Sequence, residues 1–314
     1  MSLPLTRIIT AVDFSPPSLH ALGYGIALAL RFEAEFYVFH SLFGPQDSLH
    51  DIDIQHRPQS IARQEALTRA RMQRAMDSAP VAWQPLICTG PPVETIAQET
   101  ARLKADLVVA AGQGLSVLLK LFLGRVVDPM ARTLACPLLI IRAGAHPPLD
   151  LTRPAGFKKI VIACELKSPD DPVVAMGAYL ARAYGAETHL FHALAAPLDE
   201  DAVNPTTAPY GEVQEALFRQ RLKALEALMP PEIRETCAIQ PSVRPGPPAE
   251  TLGAYCREVR PDLTVVGVRR RGVVKKLMVG STTQAVLHQR IAHLLTVPLK
   301  AQSEASARKG RRRP

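Results

Sequence analysis

Short, almost wholly apolar runs alternate along this chain with longer stretches whose apolar residues recur every third or fourth position. The runs at 7–12, 35–40, 82–88, 106–111 and 138–142 are rich in Val, Ile, Leu and Phe. Few polar residues interrupt them, which predicts strands covered on both faces, as in a parallel sheet. The stretches near 17–32, 59–78, 92–104 and 125–135 predict helices between those strands. Ser15 ahead of Pro16-Pro17 is a good N-cap followed by proline at the first helical position. Ala21-Leu22, Gly25-Ile26 and Ala29-Leu30 recur every fourth position and mark the face that packs on the sheet. The order then returns, with strands near 159–164, 187–192, 236–243, 262–267 and 294–299. Helices near 170–184, 211–228, 248–259 and 281–292 lie between these.

The return extends to individual residues. Ile8-Ile9-Thr10-Ala11-Val12-Asp13 is matched by Ile160-Val161-Ile162-Ala163-Cys164-Glu165, and Gly90-Pro91-Pro92-Val93-Glu94-Thr95 by Gly246-Pro247-Pro248-Ala249-Glu250-Thr251. Asp106-Leu107 returns as Asp262-Leu263 and Gly124 as Gly280. The offset is 152 at the first pair and 156 at the others, so four residues were gained in between. A period of that length suits one domain, not a solenoid unit. The expected organisation is a first domain over 1–145, a Pro-rich linker over 146–157, a second domain over 158–302 and a disordered tail over 303–314. The fold class is α/β, with two copies of an open doubly wound five-stranded parallel sheet. Such sheets bind ligands outside the carboxyl ends of their strands, where the strand order reverses.

Composition narrows the class. The chain is 47% hydrophobic and 21% charged, ordinary for a globular protein, and no apolar run reaches the roughly 20 residues of a membrane span. The start runs straight into the first strand, so no signal peptide is expected. Five cysteines, well separated and mostly in apolar runs, predict buried reduced thiols and a cytoplasmic location. Net charge is +8, but five of those charges come from Arg308, Lys309, Arg311, Arg312 and Arg313, leaving +3 on the body. The tail reads as solubilising, with at most non-specific contact to nucleic acid.

Candidate chemistry gathers after the fourth strand of each copy. Ala111, Gly112, Gln113 and Gly114 lead after nine residues to Gly124, Arg125 and Val126. Gly267, Val268, Arg269 and Arg270 lead by the same interval to Gly280, Ser281 and Thr282. A glycine-bearing turn, a loop and a second glycine at a helix start can cradle an anion on backbone N–H groups. The bland alternative is that these glycines serve tight turns and close packing. His40 and His192 end the second strand of each copy and read as packing residues. The loop carrying His50, Asp51, Asp53 and His56 reads as a flexible polar loop, and no metal site is expected.

These features resemble the universal stress protein family in its tandem form. The resemblance rests on Ala11-Val12-Asp13-Phe14-Ser15-Pro16, Phe39-His40 and Phe191-His192, the two Gly-Pro-Pro-x-Glu-Thr segments, 105–109, the Gly280-Ser281 turn and 135–141. It implies sheets of the adenine nucleotide alpha hydrolase-like kind, packed as a pseudo-dimer through their fifth strands, with homodimerisation left open. It also implies ATP or AMP as ligand, with Mg accompanying ATP. ATP-binding members carry Gly, two residues, Gly, nine residues, then Gly-Ser or Gly-Thr, and an acidic residue that holds the ribose. The first copy keeps Ala11, Val12 and Asp13 in that role, with Gly114 and Gly124, but has Ala111 and Arg125 at altered positions. The second has Ala163, Cys164 and Glu165, keeps Gly267, Gly280 and Ser281, but has Arg270 for the second glycine. Each copy thus departs from the pattern differently, with the second slightly favoured for phosphate contact.

The expectation is a non-enzymatic stress-response module that binds or senses an adenine nucleotide, at most hydrolysing ATP slowly, with an unidentified regulatory protein partner. The alternative is a nucleotide-independent interaction or scaffold protein whose sites have decayed. An adenylyl-transfer enzyme is disfavoured, because no nucleophile elbow, phosphate-loop lysine or paired carboxylates appear.

Overall fold

Each apolar run becomes a strand, and among the described residues the periodic stretches between them become helices. The computed structural model describes residues 5–42, 57–112, 126–142, 156–168, 170–194, 210–269 and 292–299. The first half comprises β1 (Arg7–Ala11), α1 (Pro16–Phe32), β2 (Glu35–Ser41), α2 (Arg57–Met76), β3 (Trp83–Cys88), α3 (Pro92–Leu103), β4 (Leu107–Ala111), α4 (Val127–Thr133) and β5 (Leu138–Ile141). The second comprises β6 (Lys159–Ala163), α5 (Pro172–Tyr184), β7 (Glu187–Leu194), α6 (Tyr210–Leu228), α7 (Pro231–Arg234), β8 (Ile239–Pro245), α8 (Pro248–Val259), β9 (Leu263–Arg269) and β10 (His293–Leu299). Residues 281–291 of the expected helix, the linker's 146–155 and the tail lie outside the described residues.

The change of offset has a structural seat. Residues 77–82 join α2 to β3, whereas 229–238 join α6 to β8 and contain α7. The four extra residues are therefore accommodated by one helical turn, which the sequence pattern did not predict. Pro231 opens that turn, and Ile233 anchors it in the core.

The strands form one sheet in the order β3-β2-β1-β4-β5-β10-β9-β6-β7-β8. All neighbours run parallel except β5 and β10, which are antiparallel. Leu139 pairs with Leu295, its own counterpart at the offset of 156, so a pseudo-two-fold axis passes through that pair. The same axis sets Phe32 against its counterpart Tyr184, with ring centroids 6.4 Å apart, and Arg31 donates to the carbonyl of Ala183. The duplicated sequence thus builds an internal, self-complementary dimer. Pro298 lies beyond the antiparallel ladder, which spans Leu294–Thr296, and so interrupts none of those pairs.

Helices cover both sides. On one face α1, α2, α5 and α6 bury a core that runs without a break from Leu5 in the first half to Val297 in the second. On the other, α3, α4 and α8 bury Ile96, Met130, Leu252 and Tyr255 against the strands. β4 and β5 are buried at every position and the other middle strands along most of their length, but β3 and β8 are only half-covered. They are the sheet's edges, and Pro85, Pro241 and Pro245 sit there because a proline lacks the ladder N–H. On α1, Ala21, Leu22, Gly25, Ile26 and Ala29 face the core as expected, while Leu30 turns outward.

The conserved spacing of the two halves reflects shared local devices. Asp106 accepts hydrogen bonds from the backbone N–H groups of Thr6 and Arg7 at 2.8 and 2.9 Å, and Asp262 does the same for Lys158 and Lys159 at 2.7 and 2.9 Å. Each carboxylate ties the start of one strand to its neighbour with charge-assisted bonds. Gly90 and Gly246 take φ of 132° and 121°, where a side chain would be strained, and turn the chain into α3 and α8. These repeated letters serve architecture.

Candidate functional site

The sheet order places a crevice in each half. From β1 the chain first builds outward to β2 and β3, then crosses to β4 and β5 on the other side. Strand order therefore reverses between β1 and β4, and likewise between β6 and β9. At the carboxyl ends of those strands lie Ala11, Val12, Asp13, Ala111 and Gly112 in the first half. In the second lie Ala163, Cys164, Glu165, Gly267, Val268 and Arg269.

In the first half the acidic residue is held by its own turn. Asp13 Oδ1 accepts from the Ser15 N–H at 2.9 Å and from the Ser15 hydroxyl, and the Asp13 N–H donates to Ser18 Oγ at 3.2 Å. Phe14 takes a left-handed conformation with φ of 60°, which lets the chain bend from β1 into α1. Its ring lies 5.0 Å from the His40 ring, and the Arg71 guanidinium stands 4.2 Å over it. The His40 Nδ1–H donates to the Val12 carbonyl at 2.7 Å. Gly112 follows β4 and donates its N–H to the Ile141 carbonyl at 2.9 Å. A Cβ at that position would come within 3.2 Å of Ile140 Cγ2, so β5 already occupies the space beside it. Val126 is the exposed N-cap of α4 and supplies no side-chain cap. Gln113, Gly114, Gly124 and Arg125 lie outside the described residues.

The second half repeats the frame with different chemistry. Leu166 takes the left-handed conformation of Phe14, with φ of 55°. His192 Nδ1–H donates to the Cys164 carbonyl at 2.8 Å, as His40 does to Val12. The carboxylate, however, is engaged by cations: Lys167 donates to Glu165 Oε2 at 2.7 Å, and Arg269 reaches from the end of β9 to the same oxygen. Burial pushes the Glu165 pKa up, but the Lys167 and Arg269 bonds outweigh it and hold the carboxyl below its ordinary range. At Gly267 a Cβ would meet Leu299 Cδ1 at 2.8 Å and Val173 Cγ2 at 3.1 Å. Packing against these two side chains favours a glycine there. Arg270, Gly280, Ser281 and Thr282, with the loop at 50–56, lie outside the described residues. Among the described residues no His, Cys, Asp and Glu group could hold a metal ion, and no helix is long and apolar enough to cross a membrane.

Asp13 and Glu165 follow the strands as the sequence pattern predicts, and His40 and His192 each bond a backbone carbonyl beside them. The pattern missed Arg71 and Lys167. No motif marks them: α2, which packs on β3, brings Arg71 to Phe14, and Lys167 arrives by the local turn. All five cysteines are free thiols, four of them buried, and burial pushes Cys136 up to about 12 and Cys256 up to about 11. Burial also raises Cys164, and these three thiols stay protonated as packing residues.

Three histidines share one electrostatic state. Burial lowers the pKa of His40, of His192 and of His189, whose Nδ1 accepts from Tyr255 at 2.7 Å and whose Nε2–H donates to Glu187 at 3.0 Å. Native histidines with depressed pKa values stay neutral where the unfolded chain takes up protons. Their contribution is thus complete above the ordinary value of about 6.5 and is lost as pH falls below it. Melting temperature is expected to drop on going from pH 7.5 to pH 5.5, and the drop should shrink in His189→Phe. A pH-independent melting temperature over that range would contradict the assignment.

Comparison with known proteins names the class to which this geometry belongs. The model of the universal stress protein family matches residues 4–142 and again 156–298. The chain belongs to the universal stress protein family and carries two such domains in tandem. Among solved structures, a universal stress protein from Archaeoglobus fulgidus is similar over 93% of this chain and 98% of its own, with a TM-score of 0.64 and 16% identity. A putative universal stress protein from Pseudomonas aeruginosa is similar over 94% of each chain, with a TM-score of 0.58 and 17% identity. Both likenesses concern the fold. A universal stress protein solved in complex with cAMP is similar over 44% of this chain, with a TM-score of 0.34 and 22% identity. No curated protein matches the sequence.

Proposed function

We infer that this protein is a stress-response module that binds an adenine nucleotide, ATP or AMP, without turning it over as an enzyme. The observation that carries the reading is the arrangement of Asp13. It stands at the carboxyl end of β1, at the reversal of strand order, and the Ser15 N–H and hydroxyl orient it. An oriented carboxylate at that place is suited to accept the two hydroxyls of a ribose. The family membership agrees with this reading, and no described cluster offers a nucleophile with its base.

A ligand that binds only the native state stabilises it by RT ln(1 + [L]/Kd), or about 2.7 kcal/mol at a hundredfold excess over Kd. Thermal-shift titrations with ATP, ADP and AMP are therefore expected to raise the melting temperature, with a smaller rise for Asp13→Ala. Absence of any shift at millimolar nucleotide would remove this function. It would favour the second reading, a nucleotide-independent interaction protein, to which the cation-filled crevice of the second half lends support.

A further inference from the structure

We propose that the outward face of α2 is a docking surface for an acidic helical segment of another protein. This surface does not depend on nucleotide occupancy. α2 packs on β3, the edge strand of the sheet, and of its described side chains only Thr68, Met72 and Met76 are buried. These three recur every fourth position and fix the inward face. On the opposite side, Arg63, Leu67, Ala70 and Arg74 stand at helical spacing, and all four are exposed. Leu67 is 58% exposed, the highest value of any large hydrophobic residue among those described. A leucine set among arginines on a helix that is otherwise polar outward is an anchor waiting for apolar cover.

The charge on this helix is one-sided. α2 carries five arginines against a single acid, Glu65. Among the described residues, Arg63, Arg69 and Arg74 form no ion pair with a carboxylate. The helix at the same place in the second half differs. α6 balances three acids with three bases, Arg219 pairs with Glu215 at 3.3 Å, and Phe218 and Leu222 pack against the core. The fold therefore does not require a basic helix beside its edge strand. All five cations of α2 are arginines, whose weakly hydrated planar fork matches a carboxylate better than a lysine ammonium does. Ala62, Ala66 and Ala70 are exposed one turn apart, between Arg69 on one side and Arg63 and Arg74 on the other. A partner helix can approach closely there with its own carboxylates met on both flanks. An anionic membrane fits less well, because the outward face offers a single large apolar side chain. So does single-stranded nucleic acid, since α2 has no aromatic residue on which a base could stack.

Fluorescence anisotropy of the full chain with a labelled synthetic helix tests this. The probe is about three heptads long, with Leu along one stripe and Glu on both flanks. The wild type is expected to bind it, and more weakly as salt rises from about 0.05 M to about 0.5 M. The double variant R63E/R74E is expected to weaken binding about tenfold or more. Leu67→Gln is expected to weaken it about threefold or more. Both variants should melt close to the wild type, because the side chains they replace are exposed. R219E/K223E makes the same change of net charge on α6 and is expected to bind as the wild type does, which separates a local surface from overall charge. A probe that did not bind would overturn the proposal, as would equal weakening by the two double variants or a Leu67→Gln variant that bound normally. Tighter binding of phosphatidylglycerol vesicles or of an RNA oligomer through Arg63 and Arg74 would overturn it as well, in favour of those partners.

Discussion

Leu295→Asp is expected to unfold the whole chain, both halves in a single transition. Leu295 is 1% exposed and lies on the pseudo-two-fold axis, paired with Leu139 in the antiparallel seam between β5 and β10. The substitution removes a leucine side chain, worth about 2–5 kcal/mol when truncated in a core. It also buries a carboxylate beside the apolar ladder residues Leu138, Leu139, Ile140 and Leu294, which costs several kcal/mol more or forces the group to take up a proton. The combined loss, about 5 kcal/mol or more, is comparable with the total stability of many domains. Because the core beneath the seam continues from one half to the other, the damage has no boundary at which to stop. Urea denaturation followed by circular dichroism checks this. Leu295→Met, which conserves volume, should cost less than about 1.5 kcal/mol. If the Asp variant melted like the wild type, the seam would not be the centre of the fold.

Gly25→Val carries the second largest effect. Gly25 sits on the α1 face that packs on β1 and β2, where a Cβ would approach Thr10 Oγ1 to 2.0 Å and Phe36 Cε2 to 3.0 Å. On an exposed helix, replacing glycine by alanine gains about 1 kcal/mol. Here the sign reverses, because helix and sheet touch through the missing side chain. Overpacking of a dense core costs about 1–3 kcal/mol, so Gly25→Ala should lose stability and Gly25→Val about 3 kcal/mol or more. Gly177, the counterpart on α5, faces Ile162 in the same way, with a Cβ reaching 2.4 Å from Cδ1. There the obstacle is the tip of a flexible side chain, so Gly177→Ala should be milder. A stabilised Gly25→Ala variant would show that α1 stands farther from the sheet than the contact implies.

Much of this molecule was legible before its structure. Apolar runs of four to eight residues in a helical context dictate parallel strands, since only strands covered on both faces can be so uniformly apolar. The internal repeat dictated two copies of one domain, and small residues at every fourth position of α1 marked its packing face, Leu30 excepted. Proline and glycine placed the turns because their backbone constraints are local. The strand-end acids Asp13 and Glu165 were legible for the same reason: each follows directly on a strand whose end is where such sheets bind.

Other properties had no local cause and belonged to the tertiary structure. That β5 and β10 meet antiparallel at Leu139 and Leu295 depends on residues 156 apart, and no window of sequence contains both. Arg71 reaches Phe14 only because α2 packs on β3, far along the chain from the turn that carries Phe14. Above all, sequence placed Arg269 and Glu165 at two separate strand ends, and the order of the sheet turned them into one ion pair. Composition and periodicity determine which elements form, because those are short-range matters of propensity and burial. Which side chain meets which carboxylate is a property of three-dimensional proximity.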